Sequence, residues 1–253
     1  MRDFSLDIYK KLLLTLSEAG YEFKTFEQFV SENVNNKVVI LRHDVDRAPK
    51  NAVKMAKIEN ELDIRASYYY RIVNESFNEK SINTIVKLGH ELGYHYEDLA
   101  LAKGKTENAI KEFEKNLNTF KKFYPVKTMC MHGSPMSKWD NRLIWQQFDY
   151  KDFGIIAEPY FDIDFNKLFY ITDASRAWNN EEVTLRDKVD TNYNYQINST
   201  LDIIKMLENG NFPNELMIST HPHNWADSYI EWIKIYIWQT IKNQVKKYLV
   251  KKS

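Results

Sequence analysis

The stretch Val38-Val39-Ile40-Leu41-Arg42-His43-Asp44-Val45-Asp46-Arg47-Ala48-Pro49 decides how the chain is read. Four consecutive apolar residues, mostly β-branched, form a strand buried on both faces, as in a parallel sheet. Polar residues from Arg42 to Asp46 gather at its C-terminal end, and Pro49, with its fixed φ and no N–H, opens a helix carrying Ala52, Val53, Met55, Ala56 and Ile58. The strand-like Ala66-Ser67-Tyr68-Tyr69-Tyr70 completes a βαβ unit. Upstream, Leu6, Tyr9, Leu12, Leu13 and Leu16 recur at helical spacing and stop at Gly20. Downstream the alternation repeats. A helix runs through Ile82, Ile85, Val86 and Leu88, a strand lies near Leu92 to His95, and a charged helix spans Glu107 to Tyr124. Further strands are predicted at Thr128 to Met131, Gly154 to Ala157, Phe169 to Thr172 and Leu216 to Ser219, with helices near Asn198 to Leu207 and after Trp225.

This pattern predicts an α/β protein, a single distorted (β/α) barrel of about seven parallel strands. Residues 1–253 read as one domain, with an N-terminal helical extension and a C-terminal helix. Thirty-five basic residues balance 35 acidic ones, so no overall field draws the chain to nucleic acid. There is no apolar run of the ~20 residues a membrane span needs. No secretory signal is visible, and the single cysteine, Cys130, cannot form an intrachain disulfide; the expectation is a cytoplasmic protein.

In a barrel of this kind the C-terminal ends of the strands carry the chemistry. His43, Asp44, Asp46, His95, His132, Asp173, His221 and His223 all fall at or just past a predicted strand end, and these include five of the six histidines. Asp44 and Asp46 suit a metal ligand beside a base, although Asp46-Arg47-Ala48-Pro49 also reads as an ordinary helix N-cap. His95, between Gly93 and Glu97, is a candidate ligand, with Glu97 or Asp98 able to orient it. His90 precedes its strand and reads as structural. His132 and His221 could each ligate a metal or give up a proton near neutral pH.

Together these motifs resemble the polysaccharide deacetylases, carbohydrate esterase family four with NodB homology, and the resemblance runs from about Val38 to Trp225. Arg42-His43-Asp44-Val45-Asp46 looks like a divergent form of the family's Thr-Phe-Asp-Asp-Gly motif, implying Asp44 as general base and Asp46 as metal ligand. Gly89-His90-Glu91-Leu92-Gly93 resembles the lead-in to the family's His-x-x-x-His, which makes His95 the first metal histidine. Leu99 stands where the second should be, so a third ligand has to come from His132, Glu97 or Asp98, with His132 favoured for its strand end. His132-Gly133-Ser134-Pro135 replaces the family's Arg-x-Pro-aromatic loop, and Arg42 or Arg176 would compensate for the lost arginine. Asp173-Ala174-Ser175-Arg176-Ala177-Trp178 resembles an aspartate–tryptophan motif that walls the sugar site. Ser219-Thr220-His221 resembles the last motif, with His221 as general acid.

The resemblance implies a metal-dependent hydrolase that removes an acetyl group from an acetylated sugar or polysaccharide precursor, with a divalent ion, zinc first, as cofactor. Substrate contacts are expected from Arg42, His43, Asp173, Arg176, Trp178, His223 and Trp225. Hydrolysis of another non-peptide C–N bond and a non-catalytic carbohydrate-binding barrel are the alternatives. Trp139, Trp178 and Trp225 follow strand-end motifs and are candidates for a wall against a sugar ring. Tyr229 to Trp238 is apolar nearly all round. It reads as a helix packed on the barrel or buried in a homo-oligomer, with a membrane surface as the other option, and the lysines at 246, 247, 251 and 252 read as a frayed, solvated end.

Overall fold

A computed structural model describes residues 2–32, 37–134, 137–178 and 189–250, with side chains described to residue 244. The elements run α1 (Leu6–Glu18), β1 (Glu22–Lys24), α2 (Phe26–Ser31), β2 (Val38–Val45), α3 (Pro49–Glu61), β3 (Ser67–Tyr70), α4 (Glu79–Lys87), β4 (Glu91–Tyr96), α5 (Asp98–Leu101), α6 (Thr106–Phe120), β5 (Met129–Met131), α7 (Pro159–Asp162), β6 (Phe169–Thr172), α8 (Thr200–Glu208), β7 (Glu215–Thr220) and α9 (Tyr229–Val250). The lysines at 251 and 252 lie outside the described residues, as do the side chains at 246 and 247, and so does Pro135.

All ladders are parallel, and the order β5-β4-β3-β2-β7-β6 follows a barrel cut open between its first and last neighbours. This is the distorted (β/α) barrel the alternation predicts, with two corrections. Gly154 to Ala157 forms no strand and touches β5 through a single bridge, Thr128 to Ala157. Gly154 closes a 3-10 turn at φ +77, and Pro159 opens α7 two residues past the bridge, so the segment has no length left to extend a ladder. The unexpected strand is β1, which pairs with the first half of β2 on the edge whose second half pairs with β3.

Two apolar layers result from the two-residue alternation of side chains. Val39, Leu41 and Val45 of β2 face the helices, among Tyr9, Leu12, Met55 and Ile218. Ile40 faces inward with Tyr69, Cys130, Tyr170 and Met217. The interior is tight: a Cβ on Gly93 would collide with the Tyr69 ring, so glycine is what lets that tyrosine cross β4.

Candidate metal centre and proton-transfer site

The strand β2 is longer than its apolar run, so Arg42 and Asp44 lie within it, on the inward face with Ile40. Both are fully buried. The Arg42 guanidinium grips the carboxylate at two points, Nε to Oδ1 at 3.0 Å and Nη2 to Oδ2 at 2.5 Å. Burial disfavours the Asp44 charge, but Arg42, with His95 and His221 behind it, holds the carboxyl down at about 2. Asp44 is therefore ionised at any working pH.

Asp46 is the first residue past β2. It does not cap α3; that position belongs to Ala48, in the left-handed region at φ +54, and no side chain caps the helix. The Asp46 carboxylate is thereby free to face His95 and His132. Its Oδ1 is buried and accepts no hydrogen bond among the described residues, while His95 Nε2 and His132 Nε2 each stand 3.4 Å from it. His95 comes from the inward face of β4, where Nδ1–H donates to the Cys130 carbonyl at 2.9 Å. His132 follows β5, and its Nδ1–H donates to Glu97 Oε2 at 3.0 Å. Both rings are so oriented that Nε2 meets Asp46. One oxygen and two imidazole nitrogens lie within 4.8 Å of one another, a donor set suited to zinc or a similar divalent ion. The orphaned Asp46 Oδ1 is the observation that fits this set to a cation.

A second group, Asp44, His95 and Cys130, shares His95. His95 has one nitrogen left after the Cys130 carbonyl is served, and Asp44 is already engaged by Arg42, so the Asp46 group is the better fit.

Across the mouth, Asp173 follows β6 and His221 follows β7. His221 Nδ1–H donates to Asp173 Oδ1 at 2.6 Å, and the backbone N–H of His221 reaches the same oxygen at 2.9 Å. Trp225 Nε1 donates to the other carboxylate oxygen at 2.7 Å. Burial opposes a charged imidazole here, but the bond to Asp173 and the charges of Asp173, Asp46 and Asp44 raise His221 to about 10. It is an imidazolium at neutral pH, with Nε2 left over.

Several residues expected to touch substrate sit elsewhere. His43 lies on the outward face of β2, fully buried, with Nε2 2.8 Å from Glu59 and Nδ1 2.6 Å from Thr220. Arg42 is equally buried and acts through Asp44. Trp225 is fully buried, and Trp178, also buried, donates to Thr200 Oγ1 at 3.1 Å, so neither walls a sugar site. Arg176 is caged by the rings of Phe4, Trp232 and Tyr236. Asp173 has no exposed surface and serves His221. Only His223 keeps a position at the mouth, partly exposed, its ring 5.8 Å from that of His221. Glu97 orients His132 and pairs with Arg71 at 2.6 Å, while Asp98 turns into the helix layer toward Tyr94 and Asn116. His90 is structural, accepting from the Ala66 N–H at 3.2 Å and donating to the Ala56 carbonyl at 3.0 Å.

Sequence reading missed Arg71, whose Nη1 donates to the Asp46 carbonyl at 3.1 Å, and Tyr160, whose ring has the guanidiniums of Arg42 and Arg142 each 5.5 Å from its centroid. It missed Glu158 as well, buried and accepting from the Met131 and Tyr160 N–H groups. Burial pushes that carboxyl up to about 7 against these bonds.

No family model matches the sequence, and no curated protein is similar to it. Among solved structures, a carbohydrate esterase family 4 pseudoenzyme from Bacillus anthracis is similar at a TM-score of 0.47 and 15% identity, over 83% of this chain and 63% of that one. This chain likewise spans 65% of the mutant form described as having restored enzymatic activity. A Streptococcus mutans esterase of the same family is similar at 0.45 and 16% identity, over 91% of this chain and 89% of that one. The esterase domain of a xylanase from a Trinervitermes trinervoides hindgut metagenome gives 0.41 and 13%, over 86% and 84%.

Proposed function

We propose that the chain is a metal-dependent hydrolase that removes an acetyl group from an acetylated amino sugar or sugar. The observation that carries this reading is the orphaned Asp46 Oδ1 facing two oriented imidazoles, beside an ionised Asp44 and across from a protonated His221. Asp46, His95 and His132 would hold the ion, zinc being the first choice for a carboxylate with two imidazoles. Such an ion, when bound, polarises an acyl carbonyl and lets water ionise near neutral pH.

The chain's own groups handle the protons. Asp44, ionised and fixed by Arg42, accepts a proton from the attacking water at a carboxylate oxygen. Arg42 keeps that carboxylate from rotating away and holds it ionised until the proton is delivered. His221 carries its proton on Nε2 to the departing nitrogen or oxygen, since Nδ1 is committed to Asp173. Trp225 completes the anchoring of Asp173, so the pair is aimed as a unit. Glu97 and Cys130 fix the tautomers of His132 and His95.

The test is elemental analysis of the purified protein joined to an assay on acetylated amino sugars. Asp46→Ala is expected to lose the metal. His221→Ala is expected to keep it and to lose a factor of about 10² to 10⁴ in turnover, the usual worth of a positioned proton donor. Wild-type turnover in both variants sinks the assignment, and a wild-type protein that holds no stoichiometric metal yet binds glycan points to the non-catalytic alternative.

A further inference from the structure

The link between β2 and α3 holds one more basic group beside the site. Arg47 follows Asp46 directly and is partly buried, yet its guanidinium makes no hydrogen bond, ion pair or ring contact among the described residues. Asp46 is the acid whose charge bears on it, and the two form no ion pair, because that carboxylate is turned to His95 and His132. The turn Pro222–Asn224 packs on β2 and α3, and Asn51 in the first turn of α3 donates to the Trp225 carbonyl at 3.1 Å, which sets His223 next to the link.

His223 is the second group left open. It is partly exposed, neither ring nitrogen has a hydrogen-bond partner among the described residues, and its ring lies 5.8 Å from that of His221. Burial keeps this imidazole neutral: Asp46 pulls toward the charged form, and Arg47, His221 and Lys242 add to the burial against it. A neutral imidazole offers one N–H donor and no charge. An arginine is charged at any working pH, and partial burial of that charge without a counter-ion is unfavourable. What the pair lacks is an anion. Hydroxyls of a neutral sugar would satisfy the donors and leave the charge unmatched.

We propose that Arg47, with His223 beside it, binds an anionic group on the substrate, so that the preferred acetylated sugar carries a phosphate or a carboxylate. Both present the paired oxygens that fit a guanidinium fork. The other arginines near the site are taken, Arg42 by Asp44, Arg71 by Glu97, and Arg176 by the rings of Phe4, Trp232 and Tyr236. His221, as donor to the departing atom, stands on the sugar side of the bond that breaks, so the anionic group belongs to the sugar and not to the acyl part. Only that last placement rests on the proposed hydrolysis.

The test is calorimetric titration of the full chain with N-acetylglucosamine, its 1-phosphate and the corresponding N-acetylated uronate. At least one anionic probe is expected to bind about 10- to 100-fold more tightly than the neutral sugar, and the tighter of the two names the group. Arg47→Ala is expected to bring that affinity down to that of the neutral sugar with the metal content unchanged. Arg47→Lys, which keeps the charge and loses the fork, is expected to retain part of the preference, and circular dichroism checks that both variants fold. Equal affinity for all the probes overturns the inference, as does absence of binding of both anionic ones. An anionic preference that Arg47→Ala retains also overturns it, in favour of capture by a bound metal ion. Failure of the hydrolysis is read separately: no acetate released from any probe, with the Arg47-dependent preference intact, sinks the proposed reaction and leaves the anion site standing.

Discussion

The two faces of β2 each carry a buried charged cluster, and they are finished differently. On the outward face Glu59 takes bonds from Tyr9, His43 and Tyr68, with His90 at 3.5 Å, and Thr220 closes the far nitrogen of His43. On the inward face Arg42 and Asp44 satisfy each other, yet Arg42 Nη1 and Asp46 Oδ1 are left without hydrogen-bond partners among the described residues. A saturated buried network specifies packing, and an unsaturated one beside the partly exposed Asp46 and His132 is open to a ligand. The contrast separates structure from function on one strand, one residue apart.

The sharpest way to break that contrast is to remove Glu59. Glu59→Ala leaves His43 buried without its carboxylate and is expected to cost about 3–5 kcal/mol in urea unfolding. Metal binding by whatever fraction remains folded should be unchanged. An equal loss of metal affinity in folded protein would erase the distinction between the faces.

Acid titration of stability probes the same face without mutation. Burial disfavours the Glu59 charge, but His43, His90 and Tyr9 bring it down to about 2 from an ordinary 4.5. A folded pKa below the unfolded one means that stability is present above about pH 4.5 and is lost as pH falls toward 2. The Glu59 share is about 3 kcal/mol, read as a wild-type loss over that window that Glu59→Gln lacks. An identical acid profile for the two proteins would show that the network carries no charge.

On the inward side, Glu97→Gln keeps the shape beside His132 and removes the carboxylate that fixes its ring. Metal affinity is expected to fall by roughly 10- to 100-fold, about 1.4–2.7 kcal/mol, measured by competition with a chelating dye. A smaller effect on stability than on affinity is the signature of the unsaturated face.

This face assignment is also where the sequence was hardest to read. Val38 to Leu41 announces β2, and Phe169 to Thr172 coincides with β6. A strand buried on both sides is apolar in both phases, however, so nothing in Val38-Val39-Ile40-Leu41 says whether Arg42 or His43 faces inward. His43 was assigned to the site by proximity and belongs to the helix layer. Glu59 did carry a signal. Ala52, Met55 and Ala56 mark the buried stripe of α3, and Glu59 is the acid on that stripe. The Asp173–His221 pair joins residues 48 apart, and the end of β1 is set by pairing with β2, so local pattern reaches neither. His132 was chosen by strand-end logic, and it lies with His95 against Asp46 because both strands deliver their last inward residues to the same mouth.

Ala48 sits at the entry to α3 with a left-handed backbone and nothing capping the N–H groups behind it. A non-glycine residue in that region costs about 1–2 kcal/mol, and a missing cap about 1 more. Two residues upstream the chain holds an aspartate that would serve as a cap in an ordinary helix and is instead withheld from it. Turning Asp46 back onto α3 would recover part of that energy and take its carboxylate away from the two imidazoles, so this turn leaves α3 short of its own stability optimum.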